Sequence, residues 1–309
     1  MHGRATSLRP APVPLRDRVS VVVVTRDRPD SLRRALRALA ALPDPPAVVV
    51  VDDASGDSTR DAVAGSHDGA DLLVRPRREG PVARNHGVRR ASTRYVALND
   101  DDSWWAPGAL ERAAALLDAH PRLAVVAARI LVGEEQRTDP ICEEMAHSPF
   151  AAGATGPGTP VLSFMAGAAV VRRSAFLQAG GFEPRLVGGG EEEALACDLM
   201  TAGWELRYVP DVIAHHHPAG GDKAEDRMLG IRNALWFAWR RRPLASAARW
   251  TAHIVRSTPV SAVSLRAYLG ALRGLPWVLR TRRVVPADIE ARLRALDGAK
   301  MRSEARRYG

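Results

Sequence analysis

Val19-Ser20-Val21-Val22-Val23-Val24-Thr25 is a short, unbroken apolar run rich in β-branched residues, the composition of a strand buried on both faces of a parallel sheet. The next apolar positions, Leu32, Ala35, Leu36 and Leu39, fall at helical spacing, with Asp30 or Ser31 as cap and Pro43 as stop. A second run, Ala47 to Val51, ends in Asp52-Asp53. A polar turn from Ala54 to Ser58, a short helix from Thr59 and a third strand near Leu72 to Val74 follow. Pro81 to Arg90 reads as a helix and Tyr95 to Leu98 as a fourth strand. This alternation predicts an α/β fold, a Rossmann-like, mostly parallel sheet flanked by helices. Ligands of such sheets gather at the carboxyl ends of the strands.

Beyond the fourth strand, Pro107 is placed to open a helix over Gly108 to His120 at its N1 position, and Leu123 to Ile130 reads as a strand. Thr138 to Pro160, rich in Gly, Pro and Ala, reads as loop. Met165 to Arg172 reads as a strand feeding a helix that stops at Gly180-Gly181. Glu191 to Ala202 reads as a helix capped by Gly203, and Leu206 to Val209 and Val212 to His215 as two short strands. After Pro218 the chain is helical, basic and amphipathic. The expected organisation is a disordered leader over residues 1–18, a domain over 19–218 and a basic helical region over 219–309. The domain divides into a nucleotide-binding half, 19–103, and an acceptor half, 104–218.

The net charge of +9 is unevenly placed. From Arg227 to Gly309 there are 18 basic and 4 acidic side chains, so the remainder is slightly acidic. A basic tail suits an anionic membrane surface as well as nucleic acid. With 5% aromatic residues and no nucleic-acid-reading motif, nucleic acid is not expected as a partner. Two cysteines, Cys142 and Cys197, build neither a disulfide framework nor a thiolate zinc site. No run reaches the roughly 20 apolar residues of a membrane span, and the first 18 residues lack a signal-peptide core. The expected location is the cytoplasm, with peripheral contact at the inner face of the plasma membrane through tail helices that mix Arg with Trp236, Trp239, Trp250 and Trp277.

Three adjacent carboxylates, Asp100, Asp101 and Asp102, directly after a buried strand repel one another unless a cation compensates them. Oxygen ligands of this kind suit Mg²⁺ or Mn²⁺, whose shell phosphate oxygens can complete. Asp52 or Asp53 can accept from the imide N–H of a pyrimidine base, or serve only as turn and cap. Arg84, near a helix start, suits phosphate. Glu191-Glu192-Glu193 after Gly188-Gly189-Gly190 can present a general base on a glycine-hinged loop, or merely complement the helix dipole. Of His215-His216-His217, the first and third share a strand face, so His215 or His217 can complete a metal shell.

In order, Val-Ser-Val-Val-Val-Val-Thr, Val-Val-Asp-Asp-Ala-Ser-Gly-Asp, Ala-Arg-Asn-His-Gly, Asn-Asp-Asp-Asp-Ser-Trp-Trp-Ala-Pro-Gly and Gly-Glu-Glu-Glu with Ala-Gly-Trp-Glu-Leu-Arg-Tyr-Val-Pro and His-His-His resemble the family-2 inverting glycosyltransferases of GT-A fold, over residues 19–218. The resemblance implies a nucleoside-diphosphate sugar donor, UDP- or dTDP-linked, a divalent metal, Mn²⁺ or Mg²⁺, and a glycan or lipid-linked acceptor of envelope polysaccharide synthesis. It places Thr25, Arg26, Asp52, Asp53, Arg84, Asp100 and Asp101 on the donor, and Asp102 with Asp100 and His217 or His215 on the metal. The family base, usually an Asp after a Glu, falls on Glu192. That departure leaves Glu191 and Glu192 both as candidates. It also leaves a second reading, a donor-binding protein without turnover.

Overall fold

The computed structural model describes residues 13–56, 59–152, 154–218 and 223–302. Residues 1–12 of the leader expected over 1–18, and Asp57 and Ser58 of the polar turn, lie outside the described residues. Within them, Leu15–Arg18 forms one helical turn, α1, whose Leu15 is buried. The leader was therefore drawn too long, because Leu15 packs beneath the sheet and its backbone N–H donates to Asp44 at 2.8 Å.

Strands β1 (Val19–Thr25), β2 (Ala47–Asp52), β3 (Asp71–Val74) and β4 (Tyr95–Asp100) pair in parallel. Helices α2 (Pro29–Ala40), α3 (Thr59–Ala64) and α4 (Ala83–Arg90) connect them. Helix α2 starts at Pro29, ahead of the expected Asp30 or Ser31 cap, since Pro is favoured at the first helical position. Val21, Val22 and Val23 are fully buried. Gly87 lets α4 approach them closely, because a Cβ there would lie 2.3 Å from a Val22 methyl.

After β5 (Ser103–Trp105) and α5 (Ala109–Ala119), the long strand β6 (Leu123–Val132) carries β7 (Arg137–Thr138) on its flank. Pro107 lies outside α5; Gly108, at φ +79°, is the cap. The expected loop over Thr138 to Pro160 contains helix α6 (Pro140–Ala146), started by the Asp139 side chain accepting from the Ile141 N–H, and strand β8 (Thr159–Pro160). Strand β9 (Ala168–Arg172), α7 (Arg173–Gln178), α8 (Glu191–Thr201) and β10 (Glu205–His216) complete the domain. The two short strands expected at the end are one strand with a bulge between Val209 and Ile213. The sheet order is β3-β2-β1-β4-β9-β6-β10-β5, with β9 antiparallel to β4 and β6 while β6 and β10 run parallel.

Helices α9 (Lys223–Arg241), α10 (Leu244–Ser257), α11 (Ala262–Arg280) and α12 (Ala287–Arg302) form the C-terminal region. Trp236, Phe237 and Trp277 are buried in one cluster with Leu162, Leu186, Ala194 and Cys197 of the domain. The expectation that tail tryptophans face a bilayer is therefore corrected for Trp236 and Trp277. Their indoles meet edge to face at 5.4 Å, and Trp236 donates to the Ala271 carbonyl. Trp239 is half-buried and donates to Thr251. Arg241 pairs with Asp198 of α8, and buried Arg242 bonds Glu290 and Asp297 of α12. No helix among the described residues is long and apolar enough to cross a membrane.

Candidate active site

The register of the parallel strands pairs Thr25 with Asp52 and Val24 with Asp100, so three strand ends bring their polar residues to one edge. The buried Thr25 hydroxyl donates to Asp101 Oδ2 at 2.8 Å. Arg28 Nη1 lies 3.5 Å from Asp101 and 3.6 Å from Asp102. Burial pushes the Asp101 carboxyl up to about 6, against the hydrogen bond from Thr25 and the charge of Arg28. Arg26 instead turns to Asp27 at 3.2 Å, so Arg28 is the guanidinium that faces the acids. Asp52 accepts from the Ser55 N–H at 2.9 Å. Asp53 accepts from the Glu79 and Gly80 N–H groups, both at 2.7 Å, and so fixes the turn that leads into α4.

Arg84 stands in the first turn of α4, buried, and its guanidinium pairs with Asp100. Gly167 backs that carboxylate so tightly that a Cβ would lie 2.5 Å from Asp100 Oδ2. The charge of Arg84 also reaches Glu191 and Glu192. It thus links the acids at the strand ends to those at the start of α8.

Gly188, Gly189 and Gly190 all take positive φ, +79°, +120° and +84°, a path that side chains other than glycine rarely follow. The loop read as a hinge is braced. Asn233 of α9, fully buried, donates to the Val187 and Gly189 carbonyls at 2.9 and 2.8 Å. Glu191 accepts from the Gly189 N–H at 2.7 Å, and burial raises its carboxyl above the ordinary range. Glu192 accepts from the Ala166 N–H at 3.4 Å. Burial, reinforced by the neighbouring Glu191, pushes Glu192 up to about 8. Both carboxyls are raised by burial, and geometry separates them: Glu191 is bound into the loop by the Gly189 N–H at 2.7 Å, while Glu192 has the longer contact to the Ala166 N–H.

Strand alternation separates the three histidines as expected, but the imidazole it turns toward the acids is the middle one. Ser103 lies opposite His216 and Trp104 opposite His215. His215 and His217 therefore flank the Trp104 indole, at 5.8 and 4.8 Å between ring centres, and His215 Nδ1 meets Gln136 at 2.5 Å. His216 Nε2 lies 3.5 Å from Asp102 Oδ1, and that carboxylate raises the pKa of the imidazole. His217 approaches Asp102 through the backbone, its N–H donating to the Asp102 carbonyl at 2.8 Å.

Among the described residues no group of three or more His, Cys, Asp or Glu side chains is gathered as a metal site. Asp100, expected as a second ligand, is paired with Arg84. The donor set still fits a hard divalent ion: buried Asp102 supplies carboxylate oxygens and His216 an imidazole nitrogen. Mg²⁺ characteristically takes one or two protein carboxylates and fills its shell with phosphate oxygens and water. Arg28, His216, Gly167 and Asn233 were not singled out in the sequence. Only His216 carried a signal, as the member of the His run on the opposite strand face; the others act through contacts across 44 to 73 residues of chain or more.

Residues 20–179 match the family described as glycosyl transferase family 2. The chain is 34% identical over 218 residues to a pre-mycofactocin glycosyltransferase of Mycobacterium tuberculosis, an alignment covering 68% of this chain and 45% of that one. The chain thus spans under half the length of that curated relative. Among solved structures, it resembles a mannosyltransferase of Pyrobaculum calidifontis in complex with GDP-Man and Mn²⁺. The TM-score is 0.56 at 22% identity, over 95% of this chain and 79% of that one. It also resembles Staphylococcus aureus TarS in complex with UDP-GlcNAc, with a TM-score of 0.58 at 17% identity, over 86% and 82% of the two chains. These likenesses show a shared fold.

Proposed function

The chain belongs to glycosyl transferase family 2, and from that premise we propose that it moves a sugar from a UDP- or dTDP-linked donor to an acceptor hydroxyl with inversion. The observation that carries this reading is the gathering of Thr25, Arg28 and Arg84 on Asp100, Asp101 and Asp102 at the carboxyl ends of β1 and β4. Asp52 and Asp53 sit at the nucleoside end; each carboxylate oxygen keeps a second lone pair for a base N–H beyond its backbone bond. Asp102 and His216 would hold Mn²⁺ or Mg²⁺, which supplies positive charge to the donor diphosphate. Arg84 and Arg28 provide fixed charge where the departing nucleotide gains it. Glu192 takes the acceptor proton as the acceptor oxygen attacks the anomeric carbon from the face opposite the leaving group. One displacement inverts that centre, and no carboxylate nucleophile is required.

The same reading places the product in envelope or polysaccharide glycan synthesis, with a glycan or lipid-linked acceptor. It places the protein in the cytoplasm, in peripheral contact with the membrane through its C-terminal helices. Calorimetric titration of UDP and dTDP, with and without Mn²⁺, into wild type and Asp102→Ala tests the donor site. Metal-dependent binding lost in the variant is the expected result; no nucleotide binding under any metal condition overturns the reading. Glu192→Gln separates an enzyme from a binder, since it should abolish turnover and leave nucleotide affinity within about twofold, well under a 1.4 kcal/mol step.

A further inference from the structure

Asp102 is met from two sides. His216 Nε2 lies 3.5 Å from its Oδ1, whereas Arg28 Nη1 lies 3.6 Å from its Oδ2. The same Arg28 nitrogen is 3.5 Å from Asp101 Oδ1, while the other oxygen of Asp101 accepts from the Thr25 hydroxyl. Arg28 thus sets one positive charge between two buried carboxylates, as Arg84 does beside Asp100. The repulsion among three adjacent acids is already offset by two guanidiniums of the chain itself.

The backbone builds this placement in. Asp27, just before Arg28, takes φ +53°, and Ala54, in the loop after β2, takes φ +63°. Left-handed backbone at residues other than glycine persists where the surroundings enforce it. Here the two loops are clasped: the Asp27 N–H donates to Ser55 Oγ at 3.0 Å, and the Gly56 N–H donates to Asp27 Oδ1 at 2.9 Å. On the other side Pro29, at the start of α2, restricts the chain again.

We propose that Arg28 makes divalent-metal binding at Asp102 and His216 conditional on the donor diphosphate. The inference rests on the transferase reading for the diphosphate, while the effect of Arg28 on the metal is measurable without turnover. With Arg28 offsetting Asp101 and Asp102, these acids hold a bare divalent ion weakly. A diphosphate brings negative charge and oxygen ligands of its own, so nucleotide and ion each strengthen the binding of the other by the same factor. Arg26 pairs with Asp27 instead and has no part in this.

Titration of Mn²⁺ followed by EPR, with and without UDP, tests the inference. Wild type should bind Mn²⁺ at least about tenfold more weakly without UDP than with it. Arg28→Met removes the charge and keeps most of the length of the side chain. It should tighten UDP-free Mn²⁺ binding by about tenfold, because charges a few ångströms apart couple even in water and more strongly at buried carboxylates. That gain should vanish when Asp102→Ala is added. Arg28→Lys and Arg26→Met should both stay near wild type. The Arg28 side chain is 41% exposed, so the melting temperature should move by only a few degrees. UDP-free Mn²⁺ affinity that is unchanged or lower in Arg28→Met, or raised as much by Arg26→Met, overturns the inference while UDP binding to wild type keeps the transferase reading. Absence of UDP binding to wild type under any metal condition overturns that reading, and the inference with it.

Discussion

Asn233 donates to the carbonyl of Gly189 at 2.8 Å, and through that bond the C-terminal region holds the backbone that presents Glu191 and Glu192. The same side-chain nitrogen also serves Val187, so one amide fixes two turns of the loop. Arg240 adds an ion pair to Glu183 at 2.8 Å, and Leu229 packs against Gly188. Helix α9 thus braces the loop of the candidate site.

Asn233→Ala removes both bonds and leaves the two carbonyls short of a donor, at a cost of about 1–3 kcal/mol. Because a misplacement of about 1 Å can cost roughly 100-fold in rate, turnover should fall by tenfold or more. Nucleotide affinity should stay near wild type, since Asn233 touches none of the strand-end acids. Kinetics beside calorimetry checks this; equal losses in both would show a general collapse of the site.

The raised pKa of Glu192 sets a pH dependence. In the proposed mechanism Glu192 is the base and must be ionised, so kcat/KM should rise with pH up to about 8 and then level. Stability moves the opposite way. Between the ordinary value of 4.5 and about 8, the folded state keeps a proton that the unfolded state has released. This contribution to stability is complete below 4.5 and is lost as pH rises through 8. Glu192→Gln should abolish turnover and flatten that part of the Tm-against-pH curve; an unchanged slope would show that Glu192 titrates normally.

The first four strands were legible because their runs are short and mostly apolar, Val21 to Val24 most plainly, whereas the short strands β5, β7 and β8 were not expected. The acids at the ends of β2 and β4 were legible because Asp52 and Asp100 to Asp102 follow those runs directly. What escaped the sequence is long-range. Nothing local to Trp236 or Trp277 distinguishes an indole facing lipid from one packed on Leu186 and Cys197. Arg28 and Arg26 differ only in the direction the chain takes after β1. His216 was set aside because His215 and His217 share a face, yet the antiparallel pairing of β5 with β10 turns the other face to Asp102. Glycine after glycine at 188–190 reads as freedom; a buried asparagine 43 residues beyond Gly190 removes it.

Gly167→Ala provides a test of Arg84 and Asp100 as a unit. The added methyl would sit 2.5 Å from Asp100 Oδ2 and must displace that carboxylate from Arg84. Donor affinity and turnover should fall together, by about tenfold or more if one charge-assisted hydrogen bond is lost. The melting temperature should shift by only a few degrees, because Asp100 is 43% exposed along its side chain. Nucleotide binding at wild-type strength in Gly167→Ala would remove the pair from the donor site.

In the proposed reading, membrane contact falls to α11 rather than to the buried Trp236 and Trp277. Leu265, Leu269, Leu272 and Leu279 are 45–64% exposed and, at spacings of four, three and seven residues, occupy one helix face. Arg266, Arg273 and Arg280, each one position further along, are exposed beside that stripe. An apolar stripe edged by arginine suits the headgroup region of an anionic bilayer, where each arginine contributes about 1 kcal/mol. The protein should therefore pellet with phosphatidylglycerol vesicles, far less with phosphatidylcholine, and progressively less as salt screens the arginines. Leu269→Glu with Leu272→Glu should release it while leaving the melting temperature and nucleotide binding unchanged, because neither side chain is in the core. A concentration-dependent dimer dissolved by the same double substitution, with no vesicle binding, would instead assign the stripe to self-association.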